Sequence, residues 1–239
     1  MISIVIPTRN EEKILGTTLV GLKAKLTIPH EIIVSDGKST DKTIEIARRF
    51  IEKVVTYEGT ERQTIAAGRN AGAKAAQGEF IAFMDADCRL EDPDRSFAMA
   101  LGEFSKDPRL VAQAAWIKVF PERQTFSDKI FWNLMNNSFR LSNILGKGAA
   151  GGELQIIRKS AFISVGGYNE RLVASEDVDM FRRLSKIGKV RTNPKLVVFH
   201  SGRHGHAWGW PKMLSMWFLN TVSYAIRGKS ASKEWEEIR

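Results

Sequence analysis

The chain begins with short apolar runs that alternate with longer segments in which apolar residues recur every three or four positions. The short runs have the length of buried strands and lie at residues 2–6, 31–35, 53–56 and 80–84. The longer segments have the spacing of amphipathic helices and lie at residues 11–25, 41–50 and 62–77. This alternation predicts an α/β fold, a Rossmann-like, mostly parallel sheet flanked by helices.

Beyond residue 93 the pattern becomes mixed. Helices are predicted at residues 94–105, 126–145 and 175–187, and strands at residues 110–119, 154–157 and 196–200. No repeat or linker divides this region, so residues 1 to about 205 are expected to form one domain. Residues 206–239 are predicted to form a helical extension rich in aromatic and basic side chains.

Length and composition permit a full hydrophobic core, because the chain has 239 residues, of which 43% are apolar. The single cysteine, Cys88, excludes an internal disulfide. The sequence opens directly on a strand-like run, so we expect no signal peptide and a cytoplasmic protein.

The positive charge is concentrated near the C-terminus. Residues 182–239 contain 12 Lys and Arg against 3 Asp and Glu, which accounts for the whole net charge of +9. Such a segment attracts nucleic acid, an anionic membrane surface or a phosphorylated substrate. A solvated basic face that aids solubility is the alternative interpretation.

Two carboxylates end the fourth predicted strand, at Asp85 and Asp87. Paired hard oxygen ligands at the rim of a sheet suit Mg²⁺ or Mn²⁺ carrying a diphosphate. Asp36 follows the second predicted strand, and carboxyl ends of parallel strands share one edge of the sheet, so both motifs are expected in one crevice. Neither the glycine-rich dinucleotide fingerprint nor the Walker-type phosphate loop is present.

Six motifs together resemble, in order and spacing, the family 2 glycosyltransferases with the GT-A fold. They are residues 5–12 (VIPTRNEE), 34–41 (VSDGKSTD), 68–72 (GRNAG), 83–87 (FMDAD), 166–168 (GGY) and 176–177 (ED). The resemblance covers about residues 2 to 205. It implies a nucleotide-binding half at about residues 1–110 and an acceptor half at about residues 111–205.

The resemblance also implies roles for individual residues on the donor side. Pro7, Thr8 and Glu11 would line the nucleoside pocket, Asp36 would hydrogen-bond the base, and Arg69 would lie near the nucleotide. Asp85 would approach the ribose or the metal-bound diphosphate. The divalent cation, Mg²⁺ or Mn²⁺, would be held by Asp87, assisted by Asp85 and His200.

The pair Glu176 and Asp177 matches the position from which this family supplies its catalytic base, and Asp177 is the predicted base. A single base without a carboxylate nucleophile fits one in-line displacement, hence inversion at the anomeric carbon. For both carboxylates, favourable charge in the first turn of a helix is the purely structural alternative. For His200, the alternative is a core or edge histidine whose ring nitrogens are satisfied by neighbours.

The expected activity is therefore metal-dependent transfer of a sugar from a UDP- or GDP-sugar to a saccharide, polyprenyl or other lipid-linked acceptor. Residues 207–229 are too interrupted by polar side chains for a membrane span, but they are compatible with a helix at the membrane interface. Packing of this helix on its own domain or on a second copy of the chain is the alternative. A noncatalytic membrane- or nucleic-acid-binding protein and a nucleotidyltransferase are the other functional classes; nucleic acid is not an expected partner.

Overall fold

The computed structural model describes residues 1–227 and 230–232. The strands are β1 (Ile2–Thr8), β2 (His30–Asp36), β3 (Lys53–Thr56), β4 (Phe80–Met84), β5 (Cys88–Arg89), β6 (Leu110–Val119), β7 (Leu154–Arg158) and β8 (Lys189–His200). The helices are α1 (Leu15–Lys25), α2 (Thr43–Phe50), α3 (Ile65–Ala75), α4 (Pro93–Lys106), α5 (Phe126–Ile144), α6 (Lys159–Ser164), α7 (Glu176–Leu184), α8 (Arg203–Trp208) and α9 (Trp210–Arg227).

The eight strands form one sheet in the order β3-β2-β1-β4-β7-β6-β8-β5. Strands β1 to β4 pair in parallel, as do β6 and β8, whereas β7 and β5 run antiparallel to their neighbours. The predicted α/β fold with a mostly parallel sheet is confirmed. The carboxyl ends of β1, β2 and β4 lie side by side at one edge, where ligands bind in sheets of this kind.

The alternation of side chains along the strands divides the core between the two faces of the sheet. Ile4 of β1 and Val34 of β2 belong to one buried cluster, while Val5 and Ile33 belong to the cluster on the opposite face. Successive residues of a strand point to opposite faces, so a sheet covered by helices on both sides needs continuous apolar runs. This is why the strands could be recognised in the sequence.

The structure differs from the predicted elements mainly at their ends. Helix α1 begins at Leu15 rather than at Glu11, because the N–H of Glu11 donates to Thr43 Oγ1 across 2.7 Å. Strand β8 starts at residue 189 rather than 196, since its polar first half pairs with β6. The short elements β5 and α6 have no sequence signal long enough to predict them.

The C-terminal helices pack against α5. The Trp210 ring stacks on Phe131 with a centroid distance of 3.9 Å, and Trp210 and Met213 are buried in the larger core cluster. The predicted extension at 206–239, including the basic end of the 207–229 segment, falls partly outside the described residues at 228, 229 and 233–239. Within residues 1–227 and 230–232, no helix combines the length and hydrophobicity needed to cross a membrane.

Candidate active site

A cleft of about 750 Å³ opens at the carboxyl ends of β1, β2 and β4. Its other walls come from α5, from the loop before β7, from the start of α7 and from the segment after β8. All of the sequence-predicted site residues except Asp36 line this cleft. Motifs more than 150 residues apart in sequence are thus brought to one place.

Asp36 holds the turn beside the cleft. Its carboxylate is fully buried and accepts hydrogen bonds from Thr8 Oγ1 (3.1 Å), from the Ser39 N–H (2.8 Å) and from Ser39 Oγ (2.5 Å). The neighbouring residues Ser35 and Gly37 line the cleft instead. Asp36 therefore fixes the conformation of the loop at the end of β2, and direct contact with a base stays a prediction.

Arg203 links the loop after β1 to the acidic motif at residues 85–87. Its guanidinium donates to both carboxylate oxygens of Glu11, at 2.9 and 2.7 Å, and its Nε lies 3.4 Å from Asp87 Oδ2. Ser201 Oγ also donates to Asp87 Oδ2. Burial raises the pKa of Asp87, but the charge of Arg203 and the bond from Ser201 outweigh it, so the pKa lies below its usual range. Asp87 is accordingly ionised and able to bind a cation.

Arg69 joins the two sides of the cleft. This side chain is almost fully buried and donates to Asp85 Oδ1 (3.0 Å), to Glu176 Oε1 (2.9 Å) and to the carbonyl of Gly152 (3.0 Å). Burial raises the pKa of Asp85 to about 6 although the charge of Arg69 opposes the rise. The arginine of α3 thus positions one carboxylate from β4 and one from α7.

Glu176 and Asp177 stand at the first turn of α7, behind Ser175, whose φ of 66° is left-handed. Burial and the neighbouring Asp177 carboxylate raise the pKa of Glu176 to about 7, against the charge of Arg69. Burial likewise raises the pKa of Asp177. Within the described residues, the side chain of Asp177 accepts only the local N–H of Val178 (2.8 Å, at Oδ1), whereas Glu176 accepts a hydrogen bond from Arg69. Of the two, Asp177 is freer to act on a ligand.

His200 ends β8 next to the edge of the Trp132 ring, at a centroid distance of 4.9 Å. Burial lowers the pKa of His200 to about 4 although the Asp87 carboxylate opposes the decrease. The imidazole is therefore neutral, and in the described part of the chain its Nε2 is buried without a hydrogen-bond partner. His200 is therefore not a histidine whose two ring nitrogens are both bonded to neighbouring residues, which was the alternative to a ligand role.

A divalent cation fits this corner of the cleft by the chemistry of its donors. Asp85, Asp87 and His200 offer carboxylate oxygens and a neutral imidazole, which Mg²⁺ and Mn²⁺ accept. Among residues 1–227 and 230–232, however, no three such side chains are grouped closely enough to form a complete metal site. A cation bound here would need further ligands beyond these side chains.

Three features of the site have no counterpart in the sequence prediction. Arg203 follows β8, and no motif predicted that it would bond Glu11. Glu153 lies in the loop before β7, where burial and the Asp85 carboxylate raise its pKa to about 8. Gly152 admits no side chain, because a Cβ there would lie 2.8 Å from Arg69 Nη2 and 3.2 Å from Asp177 Oδ2. The run of glycines at 151–152 is the one signal that pointed to a close approach.

The remaining wall of the cleft is apolar. It is formed by side chains of α5 and α9, namely Trp132, Met135, Phe139, Trp210, Met213, Leu214, Trp217 and Phe218. Asp128, at the start of α5, is completely buried and accepts from Trp210 Nε1 (2.8 Å) and lies 2.9 Å from His206 Nε2. These bonds fix α8 and α9 against α5 and so shape the wall.

A mostly parallel sheet with acidic motifs at its carboxyl edge and a carboxylate-bearing helix opposite is the arrangement expected of a GT-A fold. The family model for "Glycosyl transferase family 2" matches residues 3–165. The chain therefore belongs to glycosyl transferase family 2, and the resemblance seen in its motifs is confirmed.

Named relatives agree with this assignment. The succinoglycan biosynthesis protein ExoA of Rhizobium meliloti (strain 1021) is 28% identical over 77% of this chain and 58% of its own length. The 4,4'-diaponeurosporenoate glycosyltransferase of Staphylococcus haemolyticus (strain JCSC1435) is 32% identical over 70% of this chain and 46% of its own length. The chain thus spans about half the length of these relatives.

Solved structures share the fold. The mannosyltransferase PcManGT from Pyrobaculum calidifontis, in complex with GDP-Man and Mn²⁺, superposes with a TM-score of 0.72 at 23% identity, over 96% of this chain and 65% of that chain. Glucosyl-3-phosphoglycerate synthase from Mycobacterium tuberculosis, in complex with Mn²⁺, UDP and glucosyl-3-phosphoglycerate, gives a TM-score of 0.63 at 17% identity, over 97% and 81%. The predicted GT-A fold is confirmed by these likenesses.

Proposed function

We propose that the chain is a metal-dependent, inverting glycosyltransferase that moves a sugar from a nucleoside-diphosphate sugar to a hydroxyl or phosphate of an acceptor. The observation that carries this proposal is the position of Arg69, which holds Asp85 on the donor side and Glu176 on the base side of one cleft. A nucleic-acid- or membrane-binding module would have no use for this arrangement of buried charges.

The donor would enter at the ends of β1, β2 and β4. Pro7, Thr8 and Glu11 would line the nucleoside position, with Asp36 shaping its loop. Asp87 would hold Mg²⁺ or Mn²⁺ with help from Asp85 and His200, and the bound cation would neutralise charge on the departing diphosphate. Mn²⁺ and nucleotide ligands in PcManGT and in glucosyl-3-phosphoglycerate synthase support this assignment.

Asp177 would serve as the base in a single displacement. The acceptor oxygen attacks the anomeric carbon, its proton passes to the Asp177 carboxylate, and the bond from carbon to the diphosphate breaks with its electron pair leaving on the diphosphate. The raised pKa of Asp177 favours proton acceptance at neutral pH. Attack from the side opposite the leaving group inverts the anomeric centre.

The acceptor would lie along the apolar wall of α5 and α9. Aromatic side chains such as Trp132, Trp217 and Phe218 pack against sugar faces or lipid chains, which favours a saccharide or a polyprenyl- or other lipid-linked acceptor. Leu214 and Phe218 are exposed as well as lining the cleft. This supports peripheral contact of the 207–229 segment with the cytoplasmic face of a membrane.

A panel of UDP- and GDP-sugars incubated with the protein and Mn²⁺ tests the proposed activity, with release of nucleoside diphosphate as the readout and water as a slow acceptor. We expect release from one class of nucleotide, and its loss when the metal is chelated. Absence of release from the whole panel, together with absence of binding, would contradict the proposal.

A further inference from the structure

The outer face of α5 carries an apolar stripe that the exposed Asn137 interrupts between Leu134 and Leu141. Its large side chains are each between 55% and 78% exposed and are Phe126, Ile130, Leu134, Leu141, Ile144 and Leu145. At 100° per residue these positions fall within an arc of about 100°. The stripe faces away from the side of the helix that bears Trp132, Met135 and Phe139 and lines the cleft. It is therefore a separate surface from the acceptor wall.

The exposed charges of α5 itself are positive, and the exposed carboxylate that precedes the helix, Glu122, is paired with Arg89. Lys129 and Arg140 are exposed along one edge of α5, whereas its one carboxylate, Asp128, is fully buried and bonded to Trp210. An apolar stripe flanked by cations on its own helix is the pattern of a helix that lies in the interface of an anionic bilayer.

A basic hollow lies at the C-terminal end of the stripe. This second cavity, of about 420 Å³, is lined by Lys147, Arg182 and Lys186 together with the hydroxyl-bearing Ser142 and Ser185. No carboxylate lines it, and none pairs with these three cations in the described part of the chain. Leu145 of the stripe precedes the loop that forms one wall, so the apolar and cationic surfaces are continuous. A hollow of this composition suits a phosphate group.

We propose that the α5 stripe and the basic hollow together form a docking surface for an anionic phospholipid bilayer. The stripe would enter the headgroup boundary while Lys147, Arg182 and Lys186 contact lipid phosphates. Val178 lines both the hollow and the catalytic cleft, so the two cavities are neighbours. This inference adds a second membrane contact to the one proposed for residues 207–229, and it does not depend on transfer activity.

Sedimentation of the protein with vesicles tests the surface directly, without donor or turnover. Vesicles of phosphatidylcholine alone are compared with vesicles that also contain phosphatidylglycerol. We expect binding to the anionic vesicles, reduced at least about tenfold by the double substitution Arg182→Glu and Lys186→Glu, and reduced similarly by Ile130→Ser with Leu134→Ser.

Matched controls separate the surface from general properties of the chain. Arg48→Glu with Lys74→Glu changes the net charge equally on exposed positions of α2 and α3, and Val20→Ser removes an exposed apolar side chain from α1. Both should bind like the unaltered protein. Circular dichroism confirms that each variant is folded.

Three outcomes would overturn the inference. One is absence of binding to anionic vesicles, and another is equal loss of binding in the control variants. The third is a concentration-dependent dimer that the stripe substitutions dissociate, which would assign the stripe to a second copy. None of these results affects nucleotide binding at the cleft, so failure here is distinguishable from failure of the proposed activity.

Discussion

The two sides of the cleft are built in different ways. On the proposed donor side, Asp36 ends β2 and pairs with Thr8, while Asp85 and Asp87 lie in the short connection between β4 and β5, so the strands set their backbone positions. On the acceptor side, the wall is made of helices α5 and α9, held by side-chain contacts such as Asp128 with Trp210. The donor side is thus fixed by the backbone of the fold, and the acceptor side by individual side chains.

This difference has a consequence for function within a family. Positions that the strand backbone determines move little when side chains elsewhere are substituted. This suits the proposed binding of a nucleotide and a metal that many donors share. Side-chain contacts between helices change with single substitutions, which suits an acceptor that varies. Four substitutions sharpen or break the contrast between the two sides.

The largest effect is expected at Arg69, which belongs to both sides. Arg69→Leu leaves Asp85 and Glu176 buried without their cation, so the free energy of unfolding should fall by about 3–5 kcal/mol. Urea denaturation measures it. Arg49→Leu is the control, because its pair with Glu45 is exposed and contributes less than about 1 kcal/mol. Equal losses of stability in the two variants would show that Arg69 does not stabilise the contact between the two sides of the cleft.

Asp177→Asn should lower the transfer rate by about 10²- to 10⁴-fold while nucleotide affinity stays unchanged, since only the base is removed. Single-turnover kinetics and nucleotide binding separate the two quantities. Asp179→Asn is the control on the same helix: Asp179 bonds Arg183 and Tyr224, so its loss should reduce stability rather than the chemical step. If the Asp177→Asn variant retained full turnover, Asp177 would not be the base.

Glu31 tests whether the donor-side sheet has its own pH dependence. Burial raises its pKa, but hydrogen bonds from Lys53, Ser3 and the Gln77 N–H outweigh this and bring the pKa to about 2. A lowered pKa stabilises the fold above the unfolded value of 4.5, and this stabilisation is lost as the pH falls from there toward 2.

Glu31→Gln should therefore cost about 2 kcal/mol at pH 7 and flatten the acid decrease of stability between about pH 5 and pH 2. Urea denaturation across this range measures the effect. An unchanged acid profile would show that the Glu31 contacts contribute nothing to it.

The smallest effect is expected at the acceptor-side contact. Trp210→Phe keeps an aromatic ring against Phe131 but removes the donor to Asp128, so stability should fall by about 1–2 kcal/mol. Thermal unfolding measures this loss of stability. Trp217→Phe changes an indole in the same aromatic cluster that makes no hydrogen bond within the described residues, and it should cost less. Nucleotide binding should be unaltered by either substitution if the two sides are independent.

The sequence was most informative where periodicity and strand ends determine position. The apolar runs at residues 31–35 and 80–84 predicted strands, and the motifs at their carboxyl ends were expected in one crevice, because the ends of neighbouring parallel strands align. Pro7 illustrates a limit of local inference: it lies within β1 and pairs with Ser35. Pairing of β1 with β4 ends at Val5, so the missing N–H of Pro7 removes no hydrogen bond between these two strands.

Contacts between distant segments could not be predicted. Arg203 bonds Glu11 across 192 residues and Asp128 bonds Trp210 across 82, and no periodicity or motif encodes such pairs. The turn-holding bonds of Asp36 were also missed; two come from Ser39, three residues later, and the third from Thr8 on another strand. Residue roles that came from the family motifs remain proposals, whereas the fold and the family are established.

Calorimetric titration of UDP and GDP, with and without Mn²⁺, into the unaltered protein and into Asp87→Ala tests the central claim most directly. The account predicts that one nucleotide binds only with the metal and that Asp87→Ala abolishes this binding. Binding of neither nucleotide, or binding that is the same without Mn²⁺ and in Asp87→Ala, would contradict a metal-dependent donor site at the end of β4.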